Sequence, residues 1–528
     1  MPAMRHPRSI MYARVRLLME GAILLASGLL VLRAWYLQGL VSPCHVKGGS
    51  MAETLLGVHR EVTCADCGYS FACDAATEPV SCRAVCPNCG YAGNDLEGQS
   101  DLAGDGLLIN KSAFQLRGPR RWEVVALRSP QDAGQILVKR VVGLPGEAVQ
   151  VRGGDVYIDG EIQRKTLSEQ RAMRVLVYDA NYPSRRDPPL PPRWQGEQED
   201  SAWDAAKGRF VHRASAHMDA ADSIDWLVYC HWRRVPGQQG QVREEPITDT
   251  CGYNQTHPRR EEDVHVVTDL AISLRLIMVF GEGLLLIRAT DGREEFQVSI
   301  DPAANRYQVF QNGRPVPASR GRLPRPLEDM LIEVSLFDQQ FLLAFDGRTA
   351  LTWPYDRTDG REKGDRHRGG DVSPAAVSTG ATEPVPLAPP QVVSWWHALT
   401  PDPSPGGRWG TSRTASKPTA RPLGIGSKGL GVVLRDLRVY RDVYYTHPAG
   451  PQRRWALEEP CRLGEDEYFV LGDNSPISED SRSWPQGPAV DAKSLIGKPL
   501  VVLHPARRVD LFGWSFQVPD PTKIRYIR

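Results

Sequence analysis

One apolar segment near the start of the chain constrains the fold more than any other feature. It runs L17-L-M-E-G-A-I-L-L-A-S-G-L-L-V-L-R-A-W-Y-L-Q-G-L40. As a helix it would be about 36 Å long, enough to cross the hydrocarbon core of a bilayer. Its only charged members, Glu20 and Arg33, lie toward the ends, where long side chains reach the headgroups. Trp35 and Tyr36 suit the membrane interface, and Arg5, Arg8, Arg14 and Arg16 precede the segment. That charge bias predicts the N-terminus inside and everything after residue 42 outside. The competing reading is a cleaved signal peptide, because the uninterrupted apolar stretch 21–32 is short. No small-x-small cleavage site follows Arg33, so an uncleaved anchor is favoured.

The remainder is too long for one core at 528 residues, and two to four domains are expected. A formal net charge of +1 offers no electrostatic argument for nucleic acid, and none is expected as a partner. The 48 glycines and 42 prolines point to turns and β-structure rather than helices. Cysteine usage is uneven. C64-A-D-C67 and C86-P-N-C89 are two knuckles, each followed by a glycine (Gly68, Gly90), with zinc-ribbon spacing. Four thiolates can close a tetrahedral structural site and leave no open position for catalysis. Disulfides are the alternative, since this segment should lie beyond the membrane, and Cys73 could pair with Cys82 between the knuckles. Cys230 and Cys251 are left either as a further disulfide or as buried thiols.

Two blocks carry candidate chemistry: V46-K-G-G-S-M-A-E-T-L-L-G57 and I136-L-V-K-R-V-V-G-L-P-G-E147. A serine hydroxyl is a weak nucleophile until a base takes its proton, and a lysine can serve if burial keeps its amine neutral. Lys139 sits among Ile136, Leu137, Val138, Val141 and Val142, where desolvation disfavours the ammonium form. Any single serine or lysine is ordinarily a surface residue; the flanks change that. With Y468-F-V-L-G-D-N-S-P-I-S-E-D-S-R-S-W484 and G104-D-G-L-L-I-N-K111, the blocks together resemble bacterial type I signal peptidases, over roughly 10–60, 100–165 and 446–505.

The resemblance implies a membrane-anchored serine endopeptidase that removes signal peptides from exported preproteins, in the cytoplasmic (inner) membrane, with a single span. It implies Ser50 as nucleophile, Lys139 as general base and Ser478 as the hydroxyl that orients the lysine. Asp480 and Arg482 match a structural ion pair with Arg140 close by, and Gly472, Asp473 and Asn474 match the turn that approaches the site. The Ser50 backbone N–H is the expected oxyanion donor. No cofactor is expected for catalysis. The chain departs from the family pattern at three places. Gly48 removes a hydroxyl donor that many relatives carry, Glu53 replaces a proline, and Ser475-Pro476-Ile477 replaces polar residues.

The expected fold is mainly β: a signal-peptidase-type catalytic body (43–60, 100–168 and 446–528), an N-terminal transmembrane helix (1–42), an inserted zinc ribbon (61–99) and an inserted β-sandwich (169–445). Within the large insert, 270–276, 296–300, 307–310, 332–336 and 341–345 alternate as strands, with turns at Asn312-Gly313 and Asp346-Gly347. Glu333 and Ser335 should face away from Ile332, Val334 and Leu336. The run 332–347 weakly resembles laminin-G or concanavalin-like jelly rolls. Residues 356–430 read as a flexible excursion. The insert should be a separate unit joined to the body only at its two ends, and dispensable for peptide chemistry. Two other functions are open: a self-cleaving repressor-type Ser-Lys protease, which would want a DNA-binding helix pair where the anchor lies, and a binding protein on a retired protease scaffold, which would be expected to have lost these residues.

Overall fold

The computed structural model describes every residue except 1–6, 38, 76–82, 116, 133, 186–189, 207, 214–222, 236–237, 239–240, 258, 260–262, 357–418, 447–453, 503–505, 512–513, 520–524 and 528. Most of the expected excursion at 356–430 therefore lies outside the described residues, as do Arg5 and Cys82. The fold is mainly β.

An α-helix, Pro7–Leu37, opens the chain. Its stretch Val15–Arg33 is the one helix among the described residues that is long and apolar enough to cross a membrane. None of it is covered by the rest of the chain. Past the helix, strands from distant parts of the sequence interleave. In spatial order the first sheet runs Val41–His45, Gly106–Asn110, Leu495–Val502, Val124–Arg128, Ile136–Gly143, Glu467–Leu471 and Val490–Asp491. All these pairings are antiparallel. Val125 sits opposite Lys139, and Leu471 opposite Arg140. A smaller sheet, Glu161–Ile162, Asp155–Ile158, Ala148–Arg152 and Cys461–Arg462, shares an apolar core with it around Val142, Val149, Phe469 and Leu471.

Between residues 175 and 441 lie two further eight-stranded sheets. One is centred on Leu270–Phe280, Gly431–Arg441 and Met330–Phe337, the other on Leu284–Thr290, Leu423–Lys428 and Glu295–Asp301. Alternate residues from both, among them Leu274, Ile287, Phe296, Phe341, Ile425 and Leu434, form one buried cluster. Phe296 of one sheet stacks on Phe341 of the other, with ring centroids 4.9 Å apart. The outward alternation expected of Glu333 and Ser335 is only half of the picture, since both are buried. The short helix Leu167–Met173 covers that face. Arg174 pairs with Glu333 at 3.0 Å, and Ser335 Oγ donates to Gln170 Oε1 at 2.7 Å.

The ends of this region meet. Val175 pairs with Arg441, and Gly154 bridges to Tyr445. Lys165 Nζ lies 2.5 Å from Asp338 and 2.7 Å from Asp442, all three buried. The region is not joined at its ends alone, however. A 3-10 turn, Gly252–Thr256, packs against both the cysteine segment and the loop that carries Ser50.

Candidate active site

Ser50 is half-buried in a turn that follows the strand Val41–His45. Ala52 N–H donates to Gly49 O at 3.0 Å and Leu55 N–H to Met51 O at 2.8 Å, which winds the segment tightly. Met51 and Leu55 anchor it in an apolar cluster with Val46, Leu107, Val124 and Val138. Glu53, where a proline was expected, is half-buried, and its carboxyl lies 3.5 Å from Cys251 Sγ. Burial pushes that carboxyl up, with Arg441 opposing.

Lys139 is only 2% exposed. Its strand lies between Val124–Arg128 and Glu467–Leu471, so its ammonium stem has apolar neighbours on both sides. Lys139 Nζ donates to Ser478 Oγ at 2.9 Å. Burial drives its pKa down from 10.5 to about 8, and Asp480 offsets part of that fall. Gly472 separates Ser478 from the serine loop. A Cβ there would overlap the Ser478 hydroxyl and the Ser50 carbonyl oxygen, so only glycine lets the two segments close up.

Two buried ion pairs frame these groups. Arg140 grips Asp473 with both arms, at 2.7 and 2.6 Å, and donates to Trp122 O. Asp473 also accepts from Thr54 Oγ1 at 2.6 Å, which ties the lysine strand to the serine loop. Arg482 grips Asp480 at 2.9 and 2.7 Å. Asp480 in turn accepts from Gly472 N–H at 3.0 Å, and its carboxyl lies below the usual range because of Arg482 and despite its burial. Arg140 thus takes Asp473 as its carboxylate partner, while Asp480 and Arg482 form the pair expected of them. Ser475, one of the departures from the family pattern, accepts from Arg482 at 2.6 Å and from Thr446 N–H at 2.8 Å, fixing the chain just after the strand Gly431–Arg441.

Asn474 carries the serine loop. Its N–H donates to Ser50 O at 3.0 Å and its Nδ2 to Gly49 O at 2.9 Å. Its side chain also meets Asn254, a residue with no sequence signal to mark it. Thr54 stood inside a quoted block without an assigned role.

Cys64, Cys67, Cys86 and Cys89 come together as four free, buried thiols, with all sulfurs within 4.8 Å of one another. Cys64 and Cys89 are 3.6 Å apart, Cys67 and Cys86 3.7 Å. A disulfide needs about 2.05 Å. Four sulfurs at about 2.3 Å from a central zinc would be roughly 3.8 Å apart, so the donor set fits such an ion. The knuckles match each other: Gly68 N–H donates to Cys64 O at 2.9 Å and Gly90 N–H to Cys86 O at 2.8 Å. Both glycines have positive φ, +79° and +69°. Cys73, Cys230 and Cys251 are also free.

The model of the family described as "Signal peptidase, peptidase S26" matches residues 97–205 and 440–504. "Probable signal peptidase I-2" of Synechocystis sp. is 39% identical over 64 residues, 11% of this chain and 29% of that protein. "Probable signal peptidase I-1" of the same organism is 34% identical over 92 residues, 16% of this chain and 44% of that protein. "Signal peptidase I V" of Bacillus subtilis is 33% identical over 58 residues, 11% and 33% respectively. The chain spans less than half the length of each of these relatives. Over the matched stretches, which include Lys139, Arg140 and the 472–482 turn, the chain is similar to the family described as signal peptidase, peptidase S26.

Proposed function

We propose that this chain is a membrane-anchored serine endopeptidase of the type I signal peptidase kind, cleaving signal peptides from exported preproteins. One observation carries the reading: a buried lysine of lowered pKa, hydrogen-bonded to Ser478, stands across Gly472 from the loop of Ser50. Ser50 Oγ attacks the scissile carbonyl as Lys139 takes its proton. The lysine then returns that proton to the departing amine, and water releases the acyl group by the same route. The Ser50 N–H stabilises the oxyanion. Ser478 keeps the amine aimed, and the Arg140–Asp473 and Asp480–Arg482 pairs hold the strand and turn in register. Val41–His45, the outer strand of its sheet, offers an edge for an extended substrate.

The helix Pro7–Leu37 anchors the enzyme in the inner membrane, N-terminus inside and catalytic body outside. The four cysteines hold a structural zinc that takes no part in the reaction. The region between residues 169 and 445 is an inserted sandwich.

Cleavage of a model preprotein by wild type, Ser50→Ala and Lys139→Ala tests the reading. Each variant is expected to lose roughly four orders of magnitude in rate while staying folded. Near-normal turnover by Lys139→Ala would mean another base.

A further inference from the structure

Two side-chain amides meet where the insert touches the body. Asn254 Nδ2 donates to Asn474 Oδ1, and Asn474 Nδ2 donates to Asn254 Oδ1, both at 2.6 Å. The two residues are 220 positions apart, and both are buried. The other Nδ2 hydrogen of Asn474 goes to Gly49 O at 2.9 Å. That carbonyl and the Ser50 N–H belong to one planar peptide unit, so a bond that aims the oxygen also aims the N–H. An asparagine amide turns easily about its last torsion. Paired with Asn254, the Asn474 amide has one orientation, nitrogen toward Gly49.

Tyr253 adds a steric stop. Its ring lies against Gly49, where even a Cβ would overlap it, and its hydroxyl donates to Val58 O at 3.1 Å. The turn that presents both residues rests on the cysteine segment. Gln255 Nε2 donates to Val85 O at 2.7 Å, and Thr256 Oγ1 donates to Asp74 at 3.3 Å.

We infer that Asn254, contributed by the insert, is a positioning residue for the oxyanion donor: acting through Asn474, it sets the direction of the Ser50 N–H. This rests on the serine-peptidase reading above. Asn254 touches no reacting atom. Its effect is on transition-state stabilisation, so it should appear in kcat and not in substrate affinity.

The test is steady-state cleavage of a signal-peptide-like fluorogenic peptide by the full-length protein in detergent, with melting temperatures measured alongside. Asn254→Ala is expected to lower kcat by about ten- to hundredfold, less than the loss of a whole oxyanion donor, with KM within about threefold. The acidic limb of the pH profile should stay in place, because the Lys139–Ser478 contact is untouched. Asn254→Asp keeps an acceptor for Asn474 Nδ2 and loses the donor, and should recover part of kcat. A purely structural role would lower the melting temperature and leave kcat of the folded enzyme alone, and that result overturns the inference. If Asn254→Ala does not fold, Asn254→Asp decides, and wild-type kcat in it is equally fatal. Wild-type protein that cleaves no peptide overturns the peptidase reading and this inference with it. A cleaving wild type with an unaffected Asn254→Ala overturns the inference alone.

Discussion

Lys139 bears two opposed demands. As the proposed base it needs burial to keep the amine neutral, yet Asp480 nearby favours the ammonium. Burial wins, and the pKa settles at about 8 against an ordinary 10.5. With the neutral amine as the proposed base, activity should climb as pH rises through about 8, with a flat or acid-peaked profile arguing for carboxylate chemistry instead. The stability sign follows from the same shift. Between about 8 and 10.5 the unfolded lysine holds a proton that the folded one has released, so folding gains as pH rises across that window. Below it the full cost of burying an ammonium remains. Lys139→Met should therefore be inactive yet melt no lower than wild type at neutral pH. At this scale the sequence was legible where chemistry sits in contiguous blocks. Lys139 and Ser478 meet, and the Ser50 carbonyl lies across Gly472 from Ser478. The Asp480–Arg482 pairing was given by the resemblance, but not which carboxylate Arg140 takes. Only the placement of the strands assigns Arg140 to Asp473. Asn254 left no trace at all, because an asparagine in an irregular stretch looks like any other turn residue.

Among the elements, strands were easier to foresee than their surroundings. Alternation over 270–276 and 332–336 marked strands correctly, since period-two patterning follows from the pleat. It could not reveal that the short helix Leu167–Met173 would bury the polar side of one of them. The Gly252–Thr256 turn has no periodicity to read. The cysteine knuckles are the reverse case, announced by spacing alone. We expect one zinc per chain by elemental analysis of protein purified without chelator. Stripping it at neutral pH should lower the melting temperature and, through the contacts of Gln255 with Val85, reduce peptide turnover, both restored by zinc. Metal-free protein with full stability would rule out the structural zinc.

Across the whole molecule, the region between residues 175 and 441 is tied to the rest at more than its two ends, among the described residues through Lys165 and through the Gly252–Thr256 turn as well. Lys165, Asp338 and Asp442 form the firmest tie, with each side chain at most 3% exposed. Removing the cation alone leaves two carboxylates facing each other without water. Lys165→Met should accordingly cost about 3–5 kcal/mol by chemical denaturation, and adding Asp338→Asn should return part of it. An unchanged midpoint would show that the cluster contributes nothing. The strand-rich character of residues 270–345 was legible in the sequence, from its alternation and turn signals. The reach of the Gly252–Thr256 turn into the Ser50 loop was not, because contacts between residues 49 and 474, and 254 and 474, are properties of the closed chain. That closure has a consequence in time. Gly49 and the Asn474 amide that aims it are 425 residues apart. At roughly 5–20 residues per second, a ribosome needs on the order of 20 to 85 seconds between making one and making the other. For all of that interval the nascent Ser50 loop lacks the bonds from Asn474 and the Asp473 and Asp480 ion pairs, so on the proposed reading its serine is not yet able to cut the polypeptide emerging beside it.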